Sequence, residues 1–172
     1  MNLKTILPYE NYTIKTHLKP EEIVEKLIAN VQPKREISFS FKPVQITKPY
    51  EGAVYKTGFR ISRCIDYRNS FLPEITGNFS TFLGKTDINI SMRLFTLVKV
   101  FTILWLGVVG VICMGTILAY IFLSNTQSKI QFSPAILVPL GMFIFGSLLC
   151  TIPFKIESKK AKEFLNKLFE PQ

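Results

Sequence analysis

Histidine occurs once in this chain of 172 residues, as His17. One imidazole cannot build a histidine-based metal centre, and it leaves a serine or cysteine nucleophile without a ready base. CxxC and HExxH spacings are missing, so zinc has no evident home, and no Walker loop or GxGxxG run cradles nucleotide phosphates. The three cysteines, Cys64, Cys113 and Cys150, supply no paired disulfide framework and read as small apolar fillers. No cofactor and no catalytic residues are expected. The start Met1-Asn2-Leu3-Lys4 leads into mixed polar sequence rather than an apolar run with a small-residue cleavage site, so no cleavable signal peptide is expected.

The most consequential absence is of charge. Val100 to Leu123 is 24 residues without Asp, Glu, Lys, Arg or His, and Phe132 to Phe154 is another 23. As helix the first run is about 36 Å long, enough to cross a ~30 Å hydrocarbon core with some tilt. Eight residues, Ser124 to Gln131, separate the two runs, which predicts a transmembrane helical hairpin. Spans without ionisable residues do not suit a proton relay or an ion carrier, although Thr102, Thr116, Tyr120, Ser147 and Thr151 offer hydroxyls that an oligomeric pore would need.

Positive charge is plentiful. The first 99 residues carry 15 Lys and Arg against 9 Asp and Glu, and the tail from Lys155 carries five Lys against three Glu. Arg93 and Lys99 precede the first run, and Lys155, Lys159, Lys160 and Lys162 follow the second, so the positive-inside rule places both termini in the cytoplasm. The net charge of +9 lacks a dense basic run interleaved with stacking aromatics, so it points to anionic lipid headgroups rather than to nucleic acid.

The residues before the first span predict one small α+β domain. Tyr12 to His17 alternates as a strand; Pro20, Glu21 and Glu22 then start a helix whose apolar stripe is Ile23, Val24, Leu27, Ile28 and Val31, stopped by Pro33. Ile37, Phe39 and Phe41 alternate as a second strand. After Pro43 to Pro49 come Gly52 to Tyr55, a turn at Lys56-Thr57-Gly58, and a run in which Phe59, Ile61, Arg63, Ile65 and Tyr67 share a face. Glu74 to Phe79 and a strand with Ile88, Ile90, Met92 and Leu94 on its covered face complete the meander. About five residues, Phe95 to Lys99, would link it to the first span. The tail Ile156 to Phe169 is a basic amphipathic helix with Ala161, Phe164, Leu165 and Leu168 on one side, suited either to the headgroup layer or to docking on the α+β domain.

The expected organisation is thus α+β over residues 1–95, a strand-helix-strand followed by an antiparallel meander of about five or six strands in all. A transmembrane hairpin over 96–154 follows, with spans near 100–123 and 132–154, then a C-terminal amphipathic helix over 155–172. Gly107, Val111, Gly115 and Ala119 recur every four residues, and Gly141, Gly146 and Ser147 form a similar small surface, suited to pairing within the hairpin or to association with another copy or another membrane protein. Pro139 is the residue expected to kink the second span. Asp66, Glu74 and Asp87 would do acid and base work only if gathered in one pocket; cross-strand pairing with Arg60, Arg63, Arg68 and Arg93 is the simpler expectation. Arg63, a guanidinium on an apolar strand face, must meet a carboxylate, carbonyls or an anion. With Arg68 and Asn69 it forms a candidate ligand or headgroup site facing the membrane.

The stretch Phe59-Arg60-Ile61-Ser62-Arg63-Cys64-Ile65-Asp66-Tyr67-Arg68-Asn69-Ser70-Phe71-Leu72-Pro73, with Ile75 and Gly77 after it, resembles a family of small uncharacterised bacterial membrane proteins built from an N-terminal domain and two late spans. The resemblance covers residues 59–77 as motif and the whole chain in layout, and implies a bacterial inner membrane. It brings no catalytic or binding residues with it.

Overall fold

A computed structural model describes residues 8–34, 46–66, 69–82, 84–124 and 137–170. The expected strand at Ile37 to Phe41 and the loop between the apolar runs lie outside those residues. The chain divides into two compact units: residues 1–95 with 153–172, and residues 96–152.

The first unit is a six-stranded sheet with helices on one face. Its strands are β1 (Tyr9–Thr16), β2 (Val31–Pro33), β3 (Tyr50–Tyr55), β4 (Gly58–Arg63), β5 (Pro73–Phe82) and β6 (Lys85–Leu94), in the spatial order β1-β6-β5-β4-β3-β2. All pairings are antiparallel except β2 with β3. The α+β class is therefore as the sequence indicates, with the sheet mixed rather than wholly antiparallel. Helix α1 (Pro20–Asn30) carries the chain from one edge strand, β1, to the other, β2. Its start uses Pro20 at the first helical position, and Glu22 reaches back to accept the Lys19 N–H at 2.9 Å. Val31, read from spacing as the end of the helix stripe, instead opens β2 opposite Tyr50. Parallel pairing with β3 satisfies backbone groups that one more helical residue would leave at a frayed end.

Side chains alternate across the sheet. Ile88, Ile90 and Met92 of β6, Ile75 of β5 and Phe59 and Ile61 of β4 are buried on one face. Gly77 belongs to that face because a Cβ there would stand 2.2 Å from the Phe59 ring. From α1, Ile23 and Leu27 seal part of it. The rest is sealed by the C-terminal half of α3.

Helix α3 runs without interruption from Leu137 to Phe169, joining the second apolar run and the basic tail that sequence treats as separate elements. Phe154, Glu157, Ser158, Ala161, Leu165 and Phe169 are buried, and Phe164 stacks on Tyr50 with ring centroids 4.5 Å apart. Of the two expected placements for the amphipathic tail, docking on the α+β domain is the one observed. Burying the large apolar groups on this stripe removes roughly 1.5–3 kcal/mol worth of exposed surface for each. Pro139 sits in the first described turn of α3, and Pro153 lies inside the helix.

The second unit contains α2 (Thr96–Ser124) and the first part of α3. Both helices are long and apolar enough to cross a membrane. Helix α2 starts one residue after β6 ends, so Phe95 alone joins them where sequence suggests five residues.

Candidate functional site

Arg63 projects from the end of β4 onto the covered face, and its guanidinium Nη1 donates to Glu157 Oε2 at 2.6 Å. On its other oxygen Glu157 receives Lys160 Nζ at 3.0 Å, one turn along α3. Burial by itself would raise the Glu157 carboxyl, but the hydrogen bonds from Arg63 and Lys160 outweigh it and hold the group below the ordinary glutamate value. Tyr50, opposite Arg63 in the β3–β4 ladder, is pushed up to about 12, chiefly by burial, with Arg63 pulling the other way. At the other edge Lys155 bridges to Glu10 of β1 at 2.8 Å, and the Lys162 ammonium lies 4.8 Å from the centre of the Tyr12 ring. Near the C-terminal end of α3, Lys26 donates to the Leu168 carbonyl at 3.2 Å and Thr16 to the Phe169 carbonyl at 3.1 Å. Charged and polar groups thus clamp the docked helix along its length.

The candidate anion site is therefore not assembled around a guanidinium turned outward. Arg63 meets the carboxylate that its position demands, 94 residues away in sequence. Arg68 lies outside the described residues, and Asn69 accepts the Phe71 N–H at 2.9 Å, closing a local turn. The three carboxylates do not converge either. Glu74 is 3.7 Å from Arg60, Asp66 is exposed beyond β4, and Asp87 stands opposite Ser80, six ladder positions from Glu74's partner Arg93. At about 3.3 Å per residue, some 20 Å separates those two ends.

Sequence reasoning missed the opposite face of the sheet as a surface in its own right. Two neighbouring rungs cross five strands there: Thr13, Asn89, Asn78, Gly58 and Tyr55 in one, and Asn11, Ser91, Thr76, Arg60 and Ala53 in the other. Two shallow hollows of about 350 and 260 Å³ lie along these rungs and share Asn78. Several groups are fixed by their neighbours. Thr13 Oγ1 donates to Asn89 Oδ1 at 2.8 Å, Asn11 Nδ2 donates to the Tyr9 hydroxyl, and Arg93 Nε donates to Ser91 Oγ at 3.0 Å. The signal was present as the alternation of Asp87, Asn89 and Ser91 against isoleucines, but only the register aligns them with Asn78 and Thr13.

In the second unit, Gly146 faces Trp105 and Leu106 of α2, and Gly110 faces Phe143 of α3. Thr102 Oγ1 and Cys150 Sγ are 3.5 Å apart in the same seam. Of the small residues singled out from spacing, Gly146 serves this contact. A Cβ on Gly107, Gly115 or Gly141 would meet nothing within 4 Å, and Ala119 is exposed.

Compared with known proteins, the chain matches no protein-family model and no curated protein.

Proposed function

We propose that this chain is a two-pass membrane protein whose α+β unit is a non-enzymatic binding and scaffolding module at the bilayer surface, with both termini in the cytoplasm of a bacterial cell. The observation that carries the reading is the pair of surfaces of the sheet. One is closed by α1 and α3, and the other presents a broad polar platform, while Asp66, Glu74 and Asp87 stay apart. Phe95 is the whole connection between β6 and an apolar helix, so a module so attached acts on what reaches the membrane. Basic residues flanking both helices favour anionic headgroups beside them and a cytoplasmic location for the sheet. The resemblance in the Tyr67 to Pro73 region agrees with an inner membrane.

Reporter fusions at each end, combined with flotation on liposomes, test this: both reporters should be active only on the cytoplasmic side and the chain should float after alkaline extraction. Reporters active on opposite sides, or a chain that stays in detergent-free buffer, would refute it.

A second reading is favoured by the open Gly107, Gly115 and Ala119 side of α2, which the intramolecular seam does not use. There the chain would assemble with further copies and perturb the bilayer, with the sheet unit as control. Dye leakage from proteoliposomes, together with the mass of the detergent-solubilised particle, separates the two readings; sealed vesicles and a monomer exclude this one.

A further inference from the structure

We propose that the open face of the sheet binds a neutral oligosaccharide, laid across β1, β6, β5, β4 and β3 on the two rungs centred on Asn78. This deepens the binding-module reading and rests on it.

The chemistry of the platform selects the ligand class. Asn11, Asn78 and Asn89 each offer one carbonyl acceptor and two N–H donors, and Thr13, Thr76 and Ser91 add hydroxyls that both give and take. A vicinal diol needs that alternation, because each sugar hydroxyl donates one bond and accepts others. Two of the amides are already oriented. With its oxygen engaged by Thr13, Asn89 has its NH₂ for a ligand, and Asn11, whose NH₂ is engaged by Tyr9, has its carbonyl. Fixing the amides beforehand lowers the entropy lost on binding.

The ends of the platform supply the apolar component. Tyr55 is 58% exposed, is separated from Asn78 only by Gly58, and lines the smaller hollow together with both. Tyr9 is 40% exposed at the other edge, held by Asn11 and by the Arg93 guanidinium 5.3 Å from its ring centre. A pyranose presents a flat C–H face to such rings. Five strands at about 4.8 Å spacing span roughly 19 Å, room for a short saccharide chain rather than one ring.

Charge and geometry exclude the competing classes. Arg60 is the one ionic residue on the two rungs and has Glu74 3.7 Å away, and Arg93 opposite Glu74 is engaged by Ser91 and the Tyr9 ring, so the rungs carry no cluster of cations for a phosphate or an acidic polymer. It has no basic cluster or apolar ridge for a lipid surface. A polypeptide would add at a sheet edge through backbone groups, which a sheet face does not offer.

The test uses the full chain in phospholipid nanodiscs, prepared without alkyl glycosides because a maltoside headgroup is itself a probe of the site. Side-chain amide resonances of Asn11, Asn78 and Asn89 are followed while maltotriose, cellotriose, mannotriose and chitotriose are added to millimolar levels. The expected result is saturable movement of these amides with at least one trisaccharide, none at Asn166 on α3, and affinity lowered about tenfold or more in Asn89→Ala and in Asn78→Ala. Vesicles carrying a digalactosyl lipid repeat the measurement. Binding to them as well as to the free sugar assigns the source to a lipid headgroup, and binding to the free sugar alone assigns it to a soluble glycan. No movement with any trisaccharide or with the glycolipid overturns the proposal, as does unchanged affinity in Asn89→Ala and Asn78→Ala or tighter binding of a phosphorylated sugar. Flotation of the same preparation shows separately whether the membrane reading stands.

Discussion

Replacing Glu157 by Gln tests the docking of α3 most directly. The carboxylate is 3% exposed and is held by Arg63 at 2.6 Å and Lys160 at 3.0 Å; Arg63 keeps 33% of its side chain in solvent. Removing one member of a fully buried pair costs about 3–5 kcal/mol because the other charge is stranded. Here the guanidinium is one-third exposed and keeps much of its hydration, and the amide oxygen can still accept a hydrogen bond, which lowers the expected cost to roughly 2–3 kcal/mol. Arg63→Met should cost more, since it removes the shorter of the two hydrogen bonds described for the deeply buried carboxylate. The double variant Arg63→Met with Glu157→Leu should recover much of either loss. Trp105 lies in α2, so its fluorescence is a poor reporter of the sheet; hydrogen exchange at the amides of Ile61, Ile75 and Met92 is the appropriate assay. A loss of 2–3 kcal/mol would accelerate their exchange by about 30- to 150-fold where exchange follows opening of the whole unit. The pH dependence has a defined sign. Because the folded carboxyl titrates below its unfolded value, its contribution is complete above the ordinary glutamate range and disappears as pH falls through the lower folded value. Unaltered exchange in Glu157→Gln, together with an acid limb identical to that of the parent, would refute the claim that this ion pair anchors the helix.

Leu165→Ala, at a fully buried position of the docked stripe, should cost about 2–5 kcal/mol by the same exchange measurement. Gly77→Ala should destabilise β4 and β5 by about 1–3 kcal/mol, since the added methyl would stand 2.2 Å from the Phe59 ring; thermal unfolding followed by circular dichroism reads it. Arg63→Met should raise the Tyr50 phenol further by removing the nearby positive charge, seen as a later phenolate absorbance rise on alkaline titration. Gly146→Leu should shift Trp105 emission because the seam at that ring is filled, whereas Gly107→Leu should leave the emission unchanged.

Composition alone determines the two apolar helices, because a run of more than twenty uncharged side chains has few other places to go. Local periodicity likewise makes α1 and β6 legible: Ile23 with Leu27, and Ile88 through Leu94, mark their buried sides before any fold is known. The apolar stripe of the tail was also visible, but its destination was not. A helix face with Ala161, Phe164, Leu165 and Leu168 suits a lipid surface or a sheet equally well, and only the gap that α1 leaves on the sheet decides between them. The same limit applies to charge. Strand alternation showed that Arg63 needed a partner, yet the partner is Glu157 at the far end of the chain, brought there by the continuity of α3 through Pro153. Register, too, is decided in three dimensions, because the hydrogen-bond ladders and not the sequence align Thr13, Asn89 and Asn78 on one rung. Side-chain chemistry is a local property that sequence carries, whereas which distant groups share a face depends on how the whole chain buries its apolar surface.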